Sequence, residues 1–214
     1  MLKKDVSCLH VSILDYGSGN IGSIINMLDF INVPYDVITH PYEVESCDLL
    51  ILPGVGHFKS GMLNLKNRNL IEPLNCYMKS LKPILGICLG MQLMTLSSEE
   101  GGEGLGWFDC QTKRFPFLNH DSNPLIVPHM GWNYITHSSN QSIIKSTDRY
   151  YFVHSYYVDC ADSSFCLSTS TYGGVNFASA IQKGRMTGVQ FHPEKSHQYG
   201  ISFFKQYFES EGFI

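Results

Sequence analysis

The stretch ILGICLGMQLM, residues 84–94, decides the fold. Ile84 to Ile87 read as a short buried strand, and Leu89 to Leu96 read as a helix. Between them, Gly86 and Gly90 bracket Cys88 in a G-x-C-x-G string. Glycines permit tight dihedrals and close backbone approach. A sharp strand-to-helix corner lifts its central side chain above a sheet edge, where a nucleophile can work. A helix start just beyond Cys88 favours a thiolate. The bland alternative is a small buried cysteine among packing glycines.

Moving outward from the corner, residues 6–14 read as a strand, YGSGN as a glycine-rich turn, and Ile21, Ile24, Ile25 and Leu28 as one helix face. Residues 35–38 and the apolar LLIL at 49–52, stopped by Pro53 and Gly54, predict two more strands. The leucines of 60–81 predict a helix that Pro73 bends or interrupts. Short, continuously apolar strands between helices imply an α/β chain with a mostly parallel sheet covered on both faces. After EEGGEGLG the character changes. Runs at 125–127, 151–158, 164–170, 177–181 and 186–191 are β-prone, and predict a mixed or antiparallel extension with a side hairpin layer. Phe203, Phe204, Tyr207 and Phe208 mark a closing helix. No linker or repeat interrupts the pattern, so residues 1–214 read as a single domain.

Only 16% of residues are charged and the net charge is -4, which argues against a disordered chain and against bulk attraction to nucleic acid. No apolar run approaches the length of a membrane span or a signal peptide, so a cytoplasmic protein away from membranes is expected. Seven cysteines, widely spaced and without a Cys-x-x-Cys pair, give a closed zinc site little support; mostly free thiols are expected.

A nucleophile needs a base and a group to orient it. GVQFHPE at 188–194 supplies both types. Strand alternation puts Gln190 and His192 on one side, and an extended Pro193 would bring Glu194 to the same side. Glu194 could then hold the imidazole while its other nitrogen meets Cys88. A surface His and Glu in a turn is the alternative. The Pro53–Gly56 turn could aim amide N–H groups at an oxyanion, with the Leu89 N–H as second donor; an ordinary strand-end turn would look the same. Asp15–Asn20 lacks the G-x-G-x-x-G spacing and reads as a shaped surface loop. His57, His129 and His154 form no metal-ligand spacing with a partner, and no metal or cofactor is expected.

Seven motifs together resemble the class I glutamine amidotransferase family almost end to end. They are DYGSGN at 15–20, PGVGHF at 53–58, GICLGMQLM at 86–94, SEEGGEGLG at 98–106, PHMGWN at 128–133, YFVHSYY at 151–157 and GVQFHPEKS at 188–196. Within the family the resemblance is to the glutaminase subunits of imidazole glycerol phosphate synthase. It implies a flavodoxin-like fold and a triad of Cys88, His192 and Glu194. It also implies an oxyanion region at Gly54, Val55, Gly56 and Leu89, completed only in the active complex. Gln92 and the segment His154, Ser155 and Tyr156 match residues that bind glutamine. The implied reaction is attack of Cys88 on the glutamine carboxamide, ammonia release, and hydrolysis of the thioester to glutamate. The implied partner is a (β/α)8 cyclase in a 1:1 heterodimer, which uses the ammonia to convert PRFAR to imidazole glycerol phosphate and AICAR. Asn20, Trp132 and Lys195 match its interface. Two features depart from the pattern: the lead before Val11 is long, and Ile126 replaces a frequent basic residue. They leave open a paralogue that feeds ammonia to a sugar amidotransferase.

Overall fold

The computed structural model describes residues 10–137, 143–144 and 148–214. Val11–Leu14 (β1), Tyr35–Ile38 (β2), Leu49–Leu52 (β3) and Ile84–Ile87 (β4) are the four strands of the first half. Residues 6–9 of the first expected strand lie outside the described residues. The LLIL of β3 is apolar throughout because both its faces are covered: Leu49 and Ile51 enter one core cluster, Leu50 and Leu52 the other. The helices here are Ile21–Phe30 (α1), Pro41–Val44 (α2), Phe58–Asn67 (α3), Ile71–Lys79 (α4) and Leu89–Leu93 (α5). The helix expected over 60–81 is therefore two, but the break is not at Pro73. Asn69 takes φ +56° between them, a left-handed conformation that Asn tolerates. Pro73 sits in the first turn of α4, where a missing N–H costs no helical bond. Helix α5 is also shorter than the Leu89 to Leu96 stretch, ending at Leu93.

The second half adds Ser97–Ser98 (β5), Cys110–Arg114 (β6), His129–Tyr134 (β7), Thr136–His137 (β8), Arg149–His154 (β9), Tyr156–Cys160 (β10), Cys166–Tyr172 (β11), Val175–Lys183 (β12) and Met186–Val189 (β13), and the closing helix His197–Glu211 (α6). Strand order is β2-β1-β3-β4-β13-β12-β10-β6-β5. The block from β2 to β13 is parallel. The extension from β13 through β12 and β10 to β6 is antiparallel. This is the flavodoxin-like α/β architecture with a mixed extension. β7 and β9 form a separate two-stranded antiparallel ribbon.

Three expectations need correction. Residues 125–127 form no strand. The run at 151–158 is two strands, because the chain leaves the ribbon and joins the main sheet at Ser155. Cys110 and Cys160 face each other in the β6–β10 register and form a disulfide, so the reading of mostly free thiols fails for that pair. Among the described residues, no helix is long and apolar enough to cross a membrane.

Candidate active site

Three neighbouring parallel strands, β3, β4 and β13, end side by side. Their C-terminal ends carry Pro53–Gly56, Cys88 and the Gln190–Glu194 segment respectively. Ligand sites of open α/β sheets lie outside these strand ends.

Cys88 follows β4 directly and has φ +54° and ψ -107°. This conformation costs an L residue about 1–3 kcal/mol, and such strain persists only where packing over-determines it. Its N–H donates to the Val189 carbonyl at 2.7 Å. Behind it, Gly90 touches β3 so closely that a Cβ would collide with the Leu52 carbonyl. That contact sets α5 against the sheet and holds the corner in place.

His192 and Glu194 meet, but not along an extended strand. β13 ends at Val189, and Pro193–Lys195 form a 3-10 turn. His192 itself is extended, as a residue preceding proline prefers. The turn brings the carboxylate back, and His192 Nδ1–H donates to Glu194 Oε1 at 2.7 Å. Both side chains are almost completely buried. Among the described residues, the buried His192 Nε2 has no nitrogen or oxygen hydrogen-bond partner. Burial opposes the imidazolium, yet the nearby Cys88 sulfur and the Glu194 carboxylate outweigh it and push the His192 pKa up to about 10.

The walls enclose a cavity of about 720 Å³. Cys88 and His192 line it together with Val55, Gly56, Leu89, Gln92, His154, Ser155 and Tyr156. Asn20 and Lys195 stand on the same cavity, Asn20 as the cap of α1. Gly54 does not line it: it is buried, and a Cβ there would collide with Leu89 and the Tyr16 hydroxyl. Trp132 is not part of the cavity. It lies on β7, 43% exposed, with its ring stacked on His197 and the Arg149 guanidinium over it.

The oxyanion region, expected to be completed only in the active complex, is not assembled in this chain alone. The Leu89 N–H, expected to point at an oxyanion, donates to the Gly54 carbonyl at 3.3 Å. A carbonyl therefore occupies the position where two donors were expected to converge. The reason is local: the peptide between Gly54 and Val55 has its oxygen turned inward.

Several residues in or next to the cavity were not singled out from sequence. Glu100 lines the cavity, accepts the Phe58 N–H at 2.6 Å and contacts His57 Nδ1 at 2.6 Å, which ties the start of α3 to the loop after β5. Arg114 and Val153 also line it. Gln190, fully buried, donates from Nε2 to Cys88 Sγ at 3.8 Å. Its place two residues before His192 on an alternating segment was the available signal. Among the described residues, no three His, Cys, Asp or Glu side chains are grouped to hold a metal ion.

Comparison with known proteins shows the family. The family described as glutamine amidotransferase class-I matches residues 12–209. A relative from Methanococcus maripaludis, named imidazole glycerol phosphate synthase subunit HisH 2, is 45% identical over 202 residues, covering 92% of this chain and 98% of its own. A Pseudomonas aeruginosa protein of the same name is 40% identical over 204 residues, covering 93% and 98%. A crystal structure of a glutamine amidotransferase superposes with a TM-score of 0.71 at 13% identity, over 94% of this chain and 98% of that one, which bears on the fold alone.

Proposed function

The chain belongs to the class I glutamine amidotransferase family and is a glutaminase, and we propose that it works through Cys88, His192 and Glu194 as the ammonia-releasing subunit of imidazole glycerol phosphate synthase. The observation that carries the reading is the strained Cys88 beside a buried His192–Glu194 pair, in one cavity with Gln92 and His154–Tyr156. Cys88 Sγ attacks the side-chain carbonyl carbon of glutamine. The imidazolium of His192, held by Glu194, gives its proton to the departing nitrogen, and ammonia leaves. Water, deprotonated by His192, then cleaves the thioester to release glutamate and restore the thiolate.

The inward Gly54 carbonyl supports partner control. Rotating the Gly54–Val55 peptide would remove that oxygen and present the Val55 N–H beside the Leu89 N–H. A single such donor is worth roughly 3 kcal/mol in the transition state. The isolated chain is therefore expected to turn over glutamine slowly, and the assembled synthase quickly.

The partner surface is proposed to be β7 and the cavity rim. Met130, Trp132 and Tyr134 alternate along β7 and are all exposed. Asn20 and Lys195 stand at the adjoining cavity. A (β/α)8 cyclase docked there, one to one, would receive ammonia before solvent protonates it. Ile126, exposed where the family often has a basic residue, leaves a second reading in which the acceptor is a sugar amidotransferase. Purifying the partner bound to this chain and supplying glutamine with PRFAR tests the choice. Imidazole glycerol phosphate formation supports the first reading; turnover of an amino-sugar precursor with none of PRFAR overturns it.

A further inference from the structure

The Tyr156 carbonyl oxygen fixes the direction of two buried hydrogen-bond arms, because a peptide oxygen can only accept. One arm begins at His154, whose Nδ1–H donates to Tyr156 O at 2.7 Å. The neutral His154 ring must then accept at Nε2. Its 3.0 Å contact with His129 is therefore a donation from His129 Nδ1–H. His129 Nε2 is left as an acceptor, and Asn133 Nδ2 lies 3.3 Å from it, giving its other hydrogen to the Thr171 carbonyl at 3.0 Å. Both rings are neutral by environment: burial lowers the His129 pKa to about 4, and burial, only partly offset by the Tyr156 carbonyl, lowers that of His154 to about 3.

The second arm begins at Gln92, whose Nε2 donates to the same Tyr156 oxygen at 2.9 Å. That bond settles which end of the Gln92 amide is nitrogen. Its second hydrogen goes to Gln190 Oε1 at 3.1 Å. With its oxygen committed, Gln190 turns Nε2 to the Cys88 sulfur at 3.8 Å. Gln92, Gln190, His129 and His154 are all buried, so the amides have no water with which to exchange these partners.

Resting on the glutaminase reading, we propose that Gln190 is a further catalytic residue whose Nε2–H donates to the Cys88 sulfur, and that His129 and His154 are positioning residues that fix the Tyr156 carbonyl and hence both amide orientations. A donor on the sulfur favours the thiolate that attacks the carboxamide carbon. It favours the same thiolate again as the leaving group when water cleaves the thioester. The chain also runs from the ribbon that carries Trp132 to the nucleophile, since His129 and Trp132 share β7.

Two pairs of variants test this in the full chain. Q190E keeps the oxygen toward Gln92 and loses the donor; Q190M loses both. Each is read by iodoacetamide alkylation of Cys88 without glutamine, located by mass spectrometry, and by kcat and KM for glutamine in the complex with the partner. Alkylation and kcat are expected to fall about 10-fold or more, with KM within about threefold, as for a lost hydrogen bond to a charged group. The second pair reads the relay from its far end. H129N places an amide donor where Nδ1 stood and is expected to stay within about threefold of wild type, whereas H129Q, which places it at the Nε2 position, is expected to lose about 10-fold in kcat. Alkylation within about twofold of wild type in both Gln190 variants, or equal kcat for H129N and H129Q, overturns the proposal. If one Gln190 variant does not fold, the other and the His129 pair still decide. Wild-type complex whose Cys88 reacts with iodoacetamide but which, before any alkylation, hydrolyses no glutamine would instead defeat the glutaminase reading, and the alkylation comparison would still judge Gln190.

Discussion

Two buried histidine sites, each with one ring on the same cavity, are driven in opposite directions. His192 is raised to about 10, while His129 and His154 are lowered to about 4 and about 3. Burial acts on all three with the same sign, against the charged ring. What differs is the company. His192 has first the Cys88 sulfur nearby and then the Glu194 carboxylate at 2.7 Å. His129 is stacked between Tyr172 and Phe152, and among the described residues its ring hydrogen-bonds to His154 and Asn133. A buried anion turns one imidazole into a held proton, and its absence turns the others into fixed, uncharged hydrogen-bonding rods. The first suits proton transfer and the second suits positioning.

The comparison breaks most completely at the nucleophile. C88A is expected to abolish glutamine hydrolysis, assayed as glutamate release, while leaving partner binding by titration calorimetry intact. E194Q comes next: without the carboxylate the His192 pKa drops, observable by NMR titration of the ring, and kcat falls on the order of 10³-fold. An unchanged His192 titration in E194Q would mean that the carboxylate has no share in raising this ring and that the Cys88 sulfur acts alone. G90A, whose new Cβ meets the Leu52 carbonyl, is expected to lose about 3 kcal/mol in denaturant melts by forcing α5 off the sheet.

The smallest effect is in the pH dependence of stability, where the two sites have opposite signs. The raised His192 contributes stability that is complete below about 6.5 and is lost as pH rises through about 10. The lowered His129 and His154 work the other way. The unfolded chain takes up their protons below about 6.5 while the folded one does not, so stability falls as pH drops toward 4. H154N should flatten that acid limb in melts followed from pH 7 to pH 4. An acid limb as steep as that of wild type would show that His154 is not the buried neutral group described.

How much of this was legible in the sequence follows the same division. β2, β3 and β4 could be read to the residue because short apolar or β-branched runs end at Pro, Gly or a charged turn. The Cys88 corner was legible because glycine is required there by close backbone approach, a local property. The pairing of His192 with Glu194 was legible for a partly wrong reason: they meet through a 3-10 turn, and not through strand alternation. The antiparallel half was blurred, since its strands mix Ser, Thr and Tyr and one run changes sheet at Ser155 without a break in composition. The relay was hidden altogether. His129 and His154 are 25 residues apart and Gln92 and Gln190 are 98 apart, so only the fold makes them neighbours. The inward Gly54 carbonyl is a peptide orientation, and side-chain identity does not encode it.

The most direct test of the central claim uses a diazoketone analogue of glutamine, which alkylates the residue that attacks the substrate carbonyl. The complex with its partner is inactivated to completion, digested and mapped by mass spectrometry. One adduct per chain, on Cys88, with glutamate release lost in step, is the predicted result. Complete inactivation with the adduct on any other residue, or full modification of Cys88 with glutamine hydrolysis retained, would contradict the account.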